Sequence, residues 1–272
     1  MRVEDLDPQR SKREHEAQQL EDLRAIGLDW DGEVVRQSER TELYRASLER
    51  LRDQGRVYPC WCSRAEVRAA AVAPHGDLPE GAYPGTCRGL TAAAGAERER
   101  QTGRPPSLRL DARGERIEFT DLVHGRVSGV VDDFVLWRGA GGAQPDVVRR
   151  APHRGLPDTP AYNLAVVVDD ADQGIDQVVR GDDLLDTTPR QLLLARLLEL
   201  PAPTHAHVPL VLGEDGERLA KRHGAVTLEG VDSGDAVAWI ARSLDLDHER
   251  DLIEQFDPAG LPREPVTFIR GS

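Results

Sequence analysis

The stretch Tyr162–Leu185, YNLAVVVDDADQGIDQVVRGDDLL, decides the fold class predicted for this chain. Its first half carries the apolar run LAVVV followed by two acids, a pattern typical of a buried parallel strand whose carboxyl end lies at a site. Its second half places Arg180 directly after another apolar run. Strand ends that carry Arg, Tyr and Asp at neighbouring edges are where doubly wound folds bind ligands. The stretch therefore predicts an α/β fold with Tyr162 and Arg180 at a ligand site.

Length and composition narrow the class of protein. The 272 residues suffice for one large domain or two modest ones, and contents of 39% hydrophobic and 31% charged residues are typical of a folded globular protein. No apolar run approaches the roughly 20 residues that span a bilayer, and no N-terminal stretch has the basic head and apolar middle of a secretion signal. We therefore expect a cytoplasmic protein without a membrane partner.

The charge balance restricts the partners. A formal net charge of −13 argues against broad, non-specific binding to nucleic acids, and we expect no DNA partner. The 35 lysine and arginine residues still leave room for a local basic groove. A specific nucleic acid bound in such a groove is compatible with the composition.

Helical patterns occur in both halves of the chain. A capping box at Ser11–Glu14 opens a helix that ends at Gly27, and a second capping box at Ser63–Glu66 opens a short helix. Three more helices are predicted by periodicity and by a proline at the first helical position: about 39–54, one that Thr188 caps before Pro189, and about 234–244.

Strand patterns dominate the middle of the chain. SLRLD, IEFTDLV, RVSGVV and DFVLWR are short, partly alternating runs, and a hairpin is predicted around Asp215-Gly216. Gly139–Pro160 is rich in Gly, Pro and Arg, and we expect a long exposed loop there. The whole pattern is a mixed α/β domain with a small metal-bearing insertion near 56–110.

The three cysteines of the chain, Cys60, Cys62 and Cys87, form one cluster. An odd number favours a metal or free thiols over a disulfide framework. Cys-x-Cys places two thiolates on one turn, and a structural zinc ion needs four ligands at tetrahedral angles. Ligand chemistry alone favours a histidine as the fourth, because phenolate is a rare ligand; three unrelated buried cysteines are the weaker alternative. The candidates for the fourth position are Tyr83, His75, Asp77 and Glu80.

A compact basic loop lies in HVPLVLGEDGERLAKRHGA. Arg218, Lys221 and Arg222 occur there within a few residues of glycines. Such a loop can hold phosphate groups through point charges and backbone amides, whereas a bare Lys-Arg pair is more often a solvated turn. The presence of Arg180 and Tyr162 beside other apolar runs favours the phosphate site.

Several long segments, in this order, resemble the glutamyl-tRNA synthetase catalytic core: RVEDLDPQRS, CWCSRAEV, YPGTCRGL, YNLAVVVDDADQGIDQVVRGDDLL, TPRQ and HVPLVLGEDGERLAKRHGAVTL. The resemblance runs from Met1 to about Leu228, broken at 139–160. It implies an α/β fold, a Rossmann-type class I aminoacyl-tRNA synthetase catalytic domain with a small zinc-bearing insertion. Only about fifty residues follow RLAKR, so the chain looks like the short paralogues, the glutamyl-queuosine tRNA(Asp) synthetases.

This resemblance implies a division into four parts and no anticodon-binding domain. They are the remainder of the N-terminal half of the catalytic domain (1–55), the zinc-binding insertion (56–110), the second half of the catalytic domain with the loop 139–160 (111–200), and a KMSKS-type loop with a C-terminal helical region (201–272).

One departure from the family concerns the ATP cradle. The family opens with a strand, a stretch like R-x-A-P-S-P-T-G and a helix that begins with the HIGH motif, and only three residues precede Glu4 here. We therefore expect the first β-α unit to be missing, and with it the backbone turns and histidines that hold ATP at a helix N-terminus. The expectation for these 272 residues is no glutamate-dependent ATP–pyrophosphate exchange.

The resemblance implies a reaction and its residues. The family activates L-glutamate with ATP and Mg²⁺, without needing tRNA, and transfers it to the queuosine base in the anticodon of tRNA(Asp). Glu4 matches the acid that contacts the amino group of glutamate, and Tyr162 and Arg180 match the remaining glutamate contacts. An arginine can fork onto the side-chain carboxylate and reject glutamine, which carries no charge.

The basic loop and the cysteines also acquire roles from the resemblance. Lys221 matches the second lysine of the KMSKS loop and would stabilise the ATP phosphates as pyrophosphate leaves. The loop has Arg218 for the first lysine and Ala220 for the serine, and its charge pattern survives with Arg222. The Cys-x-Cys…Tyr-x3-Cys pattern resembles the family's zinc site, which makes Tyr83 the fourth ligand in place of His75.

Two alternatives to the enzyme remain at this stage. One is a non-catalytic, zinc-stabilised module that binds RNA or protein on a degenerate synthetase fold; retention of Glu4, Tyr162, Arg180 and Lys221 counts against it. The other is a fragment of a discriminating glutamyl-tRNA synthetase, which a helical anticodon-domain sequence downstream in the same frame would support.

Overall fold

The structure, a computed structural model, describes residues 1–7, 11–71, 82–139, 159–219 and 232–268. Its helices are α1 (Arg13–Ala25), α2 (Thr41–Asp53), α3 (Arg64–Ala71), α4 (Ala92–Thr102), α5 (Tyr162–Asp172), α6 (Thr188–Leu197), α7 (Ser233–Ser243) and α8 (Leu252–Gln255). Its strands are β1 (Arg2–Val3), β2 (Val35–Arg36), β3 (Val57–Cys60), β4 (Ser107–Leu110), β5 (Arg116–Asp121), β6 (Gly125–Val130), β7 (Val135–Arg138), β8 (Thr159–Pro160), β9 (Gln177–Gly181), β10 (Thr204–Val208), β11 (Val211–Leu212) and β12 (Val266–Thr267). None of these helices is long and apolar enough to cross a membrane.

A four-stranded sheet in the order β6-β5-β10-β9 carries the second half of the chain. Strand β10 pairs in parallel with both neighbours, while β5 and β6 form an antiparallel hairpin. The register sets His207 opposite Arg180 and His205 opposite Asp121. The end of β5, the middle of β10 and the end of β9 therefore meet at one edge.

A second sheet, in the order β3-β4-β7-β8, is antiparallel throughout. Cys60 is the last residue of β3 and pairs with Ser107, so the cysteine cluster sits directly at the edge of this sheet. The short strands β1 and β2 pair in parallel, as do β11 and β12.

The main hydrophobic core joins α2, α5 and α6 to the second sheet. Leu48, Leu164, Leu194 and Trp137 are fully buried within it. Burial of apolar side chains on three helices and a sheet supplies the dominant favourable term in folding. The core thereby fixes the N-terminus of α5, where Tyr162 lies, against the rest of the chain.

The prediction that NLAVVVDD is a parallel strand is wrong: the run lies within α5. Every residue from Leu164 to Asp170 is buried, and a helix that is buried on all sides is apolar all round. Such a helix shows no amphipathic period, so a short apolar run cannot be told from a buried strand by pattern alone. Tyr162 consequently projects from a helix N-terminus instead of a strand end.

The other strand predictions are confirmed. SLRLD and DFVLWR contain β4 and β7, and β5 and β6 each begin one residue before IEFTDLV and RVSGVV. The hairpin around Asp215-Gly216 is closed by a bridge between Leu212 and Arg218. Of the predicted loop, 140–158 lies outside the described residues, and Thr159–Pro160 forms β8 instead of loop because it pairs with β7.

The capping predictions have mixed outcomes. The box at Ser63–Glu66 forms: the Ser63 hydroxyl accepts from the Glu66 amide at 3.1 Å, and the Ser63 amide donates to the Glu66 carboxylate at 2.7 Å. The box at Ser11–Glu14 does not form, because α1 begins later and its cap, Lys12, offers no side-chain acceptor. Thr188 is the first residue of α6 and its hydroxyl caps nothing; it bonds Arg180 instead.

These outcomes predict unequal effects of two serine substitutions. Ser63→Ala removes a formed cap and should lower the free energy of unfolding by about 1 kcal/mol. Ser11→Ala, the matched control, should leave it nearly unchanged, because that side chain caps no helix. Urea denaturation followed by circular dichroism measures both, and equal losses would contradict the assigned caps.

Candidate functional site

Glu4, Tyr162 and Arg180, predicted to contact one ligand, come together in the structure. Glu4 follows β1, Tyr162 is the first residue of α5, and Arg180 lies near the end of strand β9. Burial is the main cause that raises the pKa of the Tyr162 phenol, and the negative charge of Glu4 adds to it. The positive charge of Arg180 and its hydrogen bond to Tyr162 act in the opposite direction. The Tyr162 side of this cluster remains reachable, since the residue is 37% exposed. An acid and a guanidinium thus lie close enough to a partly exposed phenol to shift its pKa.

Arg2 forms an ion pair with Glu4. Its Nη2 donates to Glu4 Oε1 at 3.1 Å, and its Nη1 donates to Asp170 Oδ1 at 2.6 Å and to Gln173 Oε1 at 3.3 Å. The guanidinium therefore ties the segment after β1 to the C-terminal part of α5. No local pattern signals the contact between Arg2 and Asp170, because the two residues lie 168 positions apart.

Arg180 is held by residues that sequence reasoning did not assign to the site. Its Nε donates to His207 Nε2 at 3.0 Å and its Nη2 donates to Thr188 Oγ1 at 2.7 Å. His207 Nδ1 lies 2.6 Å from Asp121 Oδ2. The motif HVPL contains this histidine, but its pattern predicted only a strand.

Of the predicted phosphate-binding loop, Arg218 is described and Lys221 and Arg222 lie outside the described residues. Arg218 forms an ion pair with Asp183 in the turn that follows β9. This ion pair brings the start of the basic loop next to the strand that carries Arg180.

The three cysteines and Tyr83, the fourth ligand that the resemblance implies, lie together. The cysteine sulfurs all lie within 4.8 Å of one another, and all three thiols are free. The Tyr83 hydroxyl lies 3.3 Å from Cys60 Sγ and 3.7 Å from Cys62 Sγ, and the Cys62 and Cys87 sulfurs are 3.6 Å apart. The alternative fourth ligands His75, Asp77 and Glu80 lie outside the described residues.

These separations fit a tetrahedral metal ion. With zinc–sulfur bonds of about 2.3 Å and zinc–oxygen bonds of about 2.0 Å, tetrahedral ligand atoms lie about 3.5–3.8 Å apart. Burial raises the pKa of the Cys62 thiol to about 12, so its thiolate needs a positive charge nearby. The Arg109 guanidinium stacks 3.8 Å above the Tyr83 ring in a cation–π contact. The cluster can hold one metal ion.

Two buried acids fasten this cysteine cluster to the rest of the chain. Asp132 accepts from the Tyr83 amide at 3.1 Å and from Arg190 Nε at 2.7 Å. Asp133 accepts from the Tyr58 hydroxyl at 2.5 Å and from Arg88 Nη2 at 2.6 Å. Helix α6 and the cysteine cluster are thus anchored to the same turn.

A cleft of about 800 Å³ lies between the cysteine cluster and Tyr162. Its described lining holds no acidic residue, although the chain carries a net charge of −13. The Nε atoms of Arg109 and Arg138 are buried there without a hydrogen-bond partner. We call this feature the arginine cleft; its arginines are Arg64, Arg68, Arg104, Arg109, Arg138 and Arg190.

Comparisons with known proteins identify the family. The family model for tRNA synthetases class I (E and Q), catalytic domain, matches residues 1–239. A protein of Nocardia farcinica named Glutamyl-Q tRNA(Asp) synthetase is 54% identical, covering 97% of this chain and 80% of that protein. A protein of the same name from Symbiobacterium thermophilum is 46% identical over 98% of this chain and 84% of that protein. A Glutamate--tRNA ligase of Aquifex aeolicus is 39% identical over 84% of this chain and 45% of that protein.

The fold agrees with these relatives. The crystal structure of a glutamate-tRNA synthetase from Elizabethkingia anophelis superposes with a TM-score of 0.74 at 22% identity. The alignment covers 99% of this chain, which spans 61% of that structure. The fold prediction, a Rossmann-type class I catalytic domain, is therefore confirmed. By the family match over most of its length, the chain belongs to the class I tRNA synthetases for glutamate and glutamine, through their catalytic domain.

Proposed function

We propose that this chain carries the glutamate-recognition site of a glutamyl-queuosine tRNA(Asp) synthetase, the enzyme that activates L-glutamate with ATP and transfers it to queuosine in the anticodon of tRNA(Asp). The observation that carries the proposal is the convergence of Glu4, Tyr162 and Arg180 in one accessible cluster. The names of the relatives from Nocardia farcinica and Symbiobacterium thermophilum support the tRNA substrate. The non-catalytic remnant and the fragment of a discriminating synthetase are not favoured, because those relatives align over 97% and 98% of this chain.

The cluster supplies both halves of glutamate recognition. The carboxylate of Glu4 can accept from the substrate ammonium, and the guanidinium of Arg180 can donate to the side-chain carboxylate. Glutamine offers an uncharged amide at that position, so the charge-assisted hydrogen bonds are lost. The site therefore selects glutamate by charge as well as by shape.

The chemical step needs no covalent nucleophile on the protein. The α-carboxylate of glutamate attacks the α-phosphorus of ATP, a carboxyl–phosphate bond forms, and the bond to the β-phosphate breaks to release pyrophosphate. Catalysis is then a matter of position and charge. We propose that Lys221, with Arg218 and Arg222, stabilises the phosphate charge; Mg²⁺ supplies further positive charge to the phosphates when it is bound.

We further propose a structural zinc ion on Cys60, Cys62, Cys87 and Tyr83. The ligand separations of 3.3–3.7 Å support this set. A closed set of three thiolates and one phenolate leaves no open position for a substrate, so its role is to hold the insertion together. The division into four parts stays a prediction, with this insertion as the second part.

The arginine cleft is the proposed tRNA surface. Arginine pairs with phosphate through its planar fork and stacks on bases, and single-stranded loops such as anticodons present both. The cleft joins the cysteine cluster to Tyr162, so RNA bound there would reach the activated glutamate.

Glutamate binding tests the substrate site directly. Arg180→Gln should raise the Kd for L-glutamate by about tenfold and leave weak L-glutamine binding unchanged, because it removes the charged donor. Arg126→Gln, at an 88% exposed side chain on β6, is the matched control. Isothermal titration calorimetry measures both ligands, and unchanged glutamate affinity in Arg180→Gln would refute the site. That these 272 residues catalyse no glutamate-dependent ATP–pyrophosphate exchange stays a prediction.

Metal analysis tests the cysteine cluster. The purified chain should carry one zinc ion, and Tyr83→Phe should weaken zinc binding by about tenfold in competition with a chromophoric chelator. Tyr44→Phe is the control, since its hydroxyl bonds Asp169 on α5 and Tyr44 belongs to the main core instead of the cysteine cluster. A loss of affinity in His75→Ala and none in Tyr83→Phe would show that histidine is the fourth ligand.

Salt dependence tests the RNA surface. Replacing both Arg64 and Arg68 by alanine should weaken tRNA(Asp) binding and reduce the slope of log K against log salt by about 1 to 2, as expected when up to two phosphate contacts are lost. Arg126→Gln again serves as the control. Fluorescence anisotropy measures the slopes, and an unchanged slope in the double variant would place the RNA elsewhere.

A further inference from the structure

A row of buried polar groups runs across three adjacent strands toward the glutamate site. Asp121 ends β5, His207 lies in β10 and Arg180 lies in β9. The side chains of Asp121 and His207 have no exposed surface. Polar groups are expensive to bury unless each has a hydrogen-bond partner, so this row has a defined set of protons.

The partners determine the protonation state of His207. A guanidinium can only donate, so His207 Nε2 must accept the hydrogen bond from Arg180 Nε at 3.0 Å. The proton of a neutral imidazole is then on Nδ1, from which it donates to Asp121 Oδ2 at 2.6 Å. Burial lowers the pKa of His207, which keeps the ring neutral.

Asp121 is itself fixed by the backbone. Its Oδ1 accepts from the amides of Val123 and His124, each at 3.0 Å, and from the amide of His207 at 3.3 Å. Although burial acts against ionisation, these bonds lower the pKa of the carboxyl group below its usual value. The carboxylate therefore sets both the tautomer and the ring orientation of His207.

The hydrogen bonds that Arg180 makes to His207 and Thr188 determine which of its N–H groups can meet a ligand. His207 takes the Nε hydrogen and Thr188 takes one Nη2 hydrogen, so one side of the guanidinium plane is occupied. Tyr162 also forms a hydrogen bond with Arg180. The Nη1 and Nη2 atoms together form the end of the guanidinium that can fork onto a carboxylate. A guanidinium held on one side has fewer orientations to lose when ligand binds.

We propose that His207, oriented by Asp121, is a positioning residue that aims the Nη1–Nη2 end of Arg180 at the side-chain carboxylate of glutamate and so contributes to the rejection of glutamine, an inference that rests on the proposed role of Arg180. His207 does not touch the substrate. It acts by holding the side of Arg180 that faces away from the substrate.

The test compares two histidines on the same face of β10. His207→Leu should raise the Kd for L-glutamate by about tenfold and lower the ratio of glutamine Kd to glutamate Kd, because Arg180 loses its acceptor. His205→Leu is the matched control: His205 is 4% exposed and stacks parallel to His207 at 6.0 Å. This control should change the ratio less than about twofold, since no hydrogen bond between His205 and Arg180 occurs among the described side chains.

Rescue and spectroscopy distinguish positioning from mere stability. In His207→Gln, the amide oxygen can take the place of Nε2 and should retain most of the selectivity. If His207→Leu does not fold, ¹⁵N NMR of the wild-type chain decides: Nδ1 should carry the proton and Nε2 should be bare. An Nε2-protonated ring, or unchanged selectivity in a folded His207→Leu, overturns the proposal.

The two proposals can fail separately. Unchanged glutamate affinity in Arg180→Gln removes the substrate site itself, and with it any role for His207. If Arg180→Gln binds glutamate more weakly but a folded His207→Leu keeps the wild-type ratio of glutamine Kd to glutamate Kd, the proposed substrate site stands. Only the positioning role of His207 is then removed.

Discussion

The parallel pairing of β10 with β5 and β9 is the constraint on which the site depends. It places Asp121, His207 and Arg180 side by side, at 2.6 Å and 3.0 Å between successive polar atoms. A shift of β10 by one residue would turn His207 to the opposite face of the sheet and leave a buried carboxylate and a guanidinium without their partner. The cost of unpaired buried charge therefore specifies the register, and the register aims Arg180.

Buried carboxylates also connect secondary-structure elements elsewhere in the chain. Asp169 on α5 is fully buried and accepts from Gln37, Arg40 and Tyr44, which ties α5 to the segment around α2. Asp132 ties the cysteine cluster to α6 in the same way. An acidic chain thus uses part of its negative charge internally, where a carboxylate fixes several donors at once.

Local patterns predicted much of this structure, and long-range contacts account for the rest. Alternation located the strands of the middle region, and the box at Ser63 formed as its spacing predicted. The strand predicted after Tyr162 is a helix, because complete burial erases the period that separates the two. Glu4 could be named only through resemblance, whereas the position of Arg180 after an apolar run placed it at a ligand site. The role inferred for His207 depends on strand register, which no stretch of sequence records.

A crystal structure of the chain with L-glutamate would show which protein groups hold each end of the substrate. We expect the side-chain carboxylate on the Nη1 and Nη2 atoms of Arg180, the ammonium at Glu4, and His207 still bonded to Arg180 Nε. Glutamate bound away from Arg180, or bound with its α-carboxylate on that arginine, would contradict this expectation.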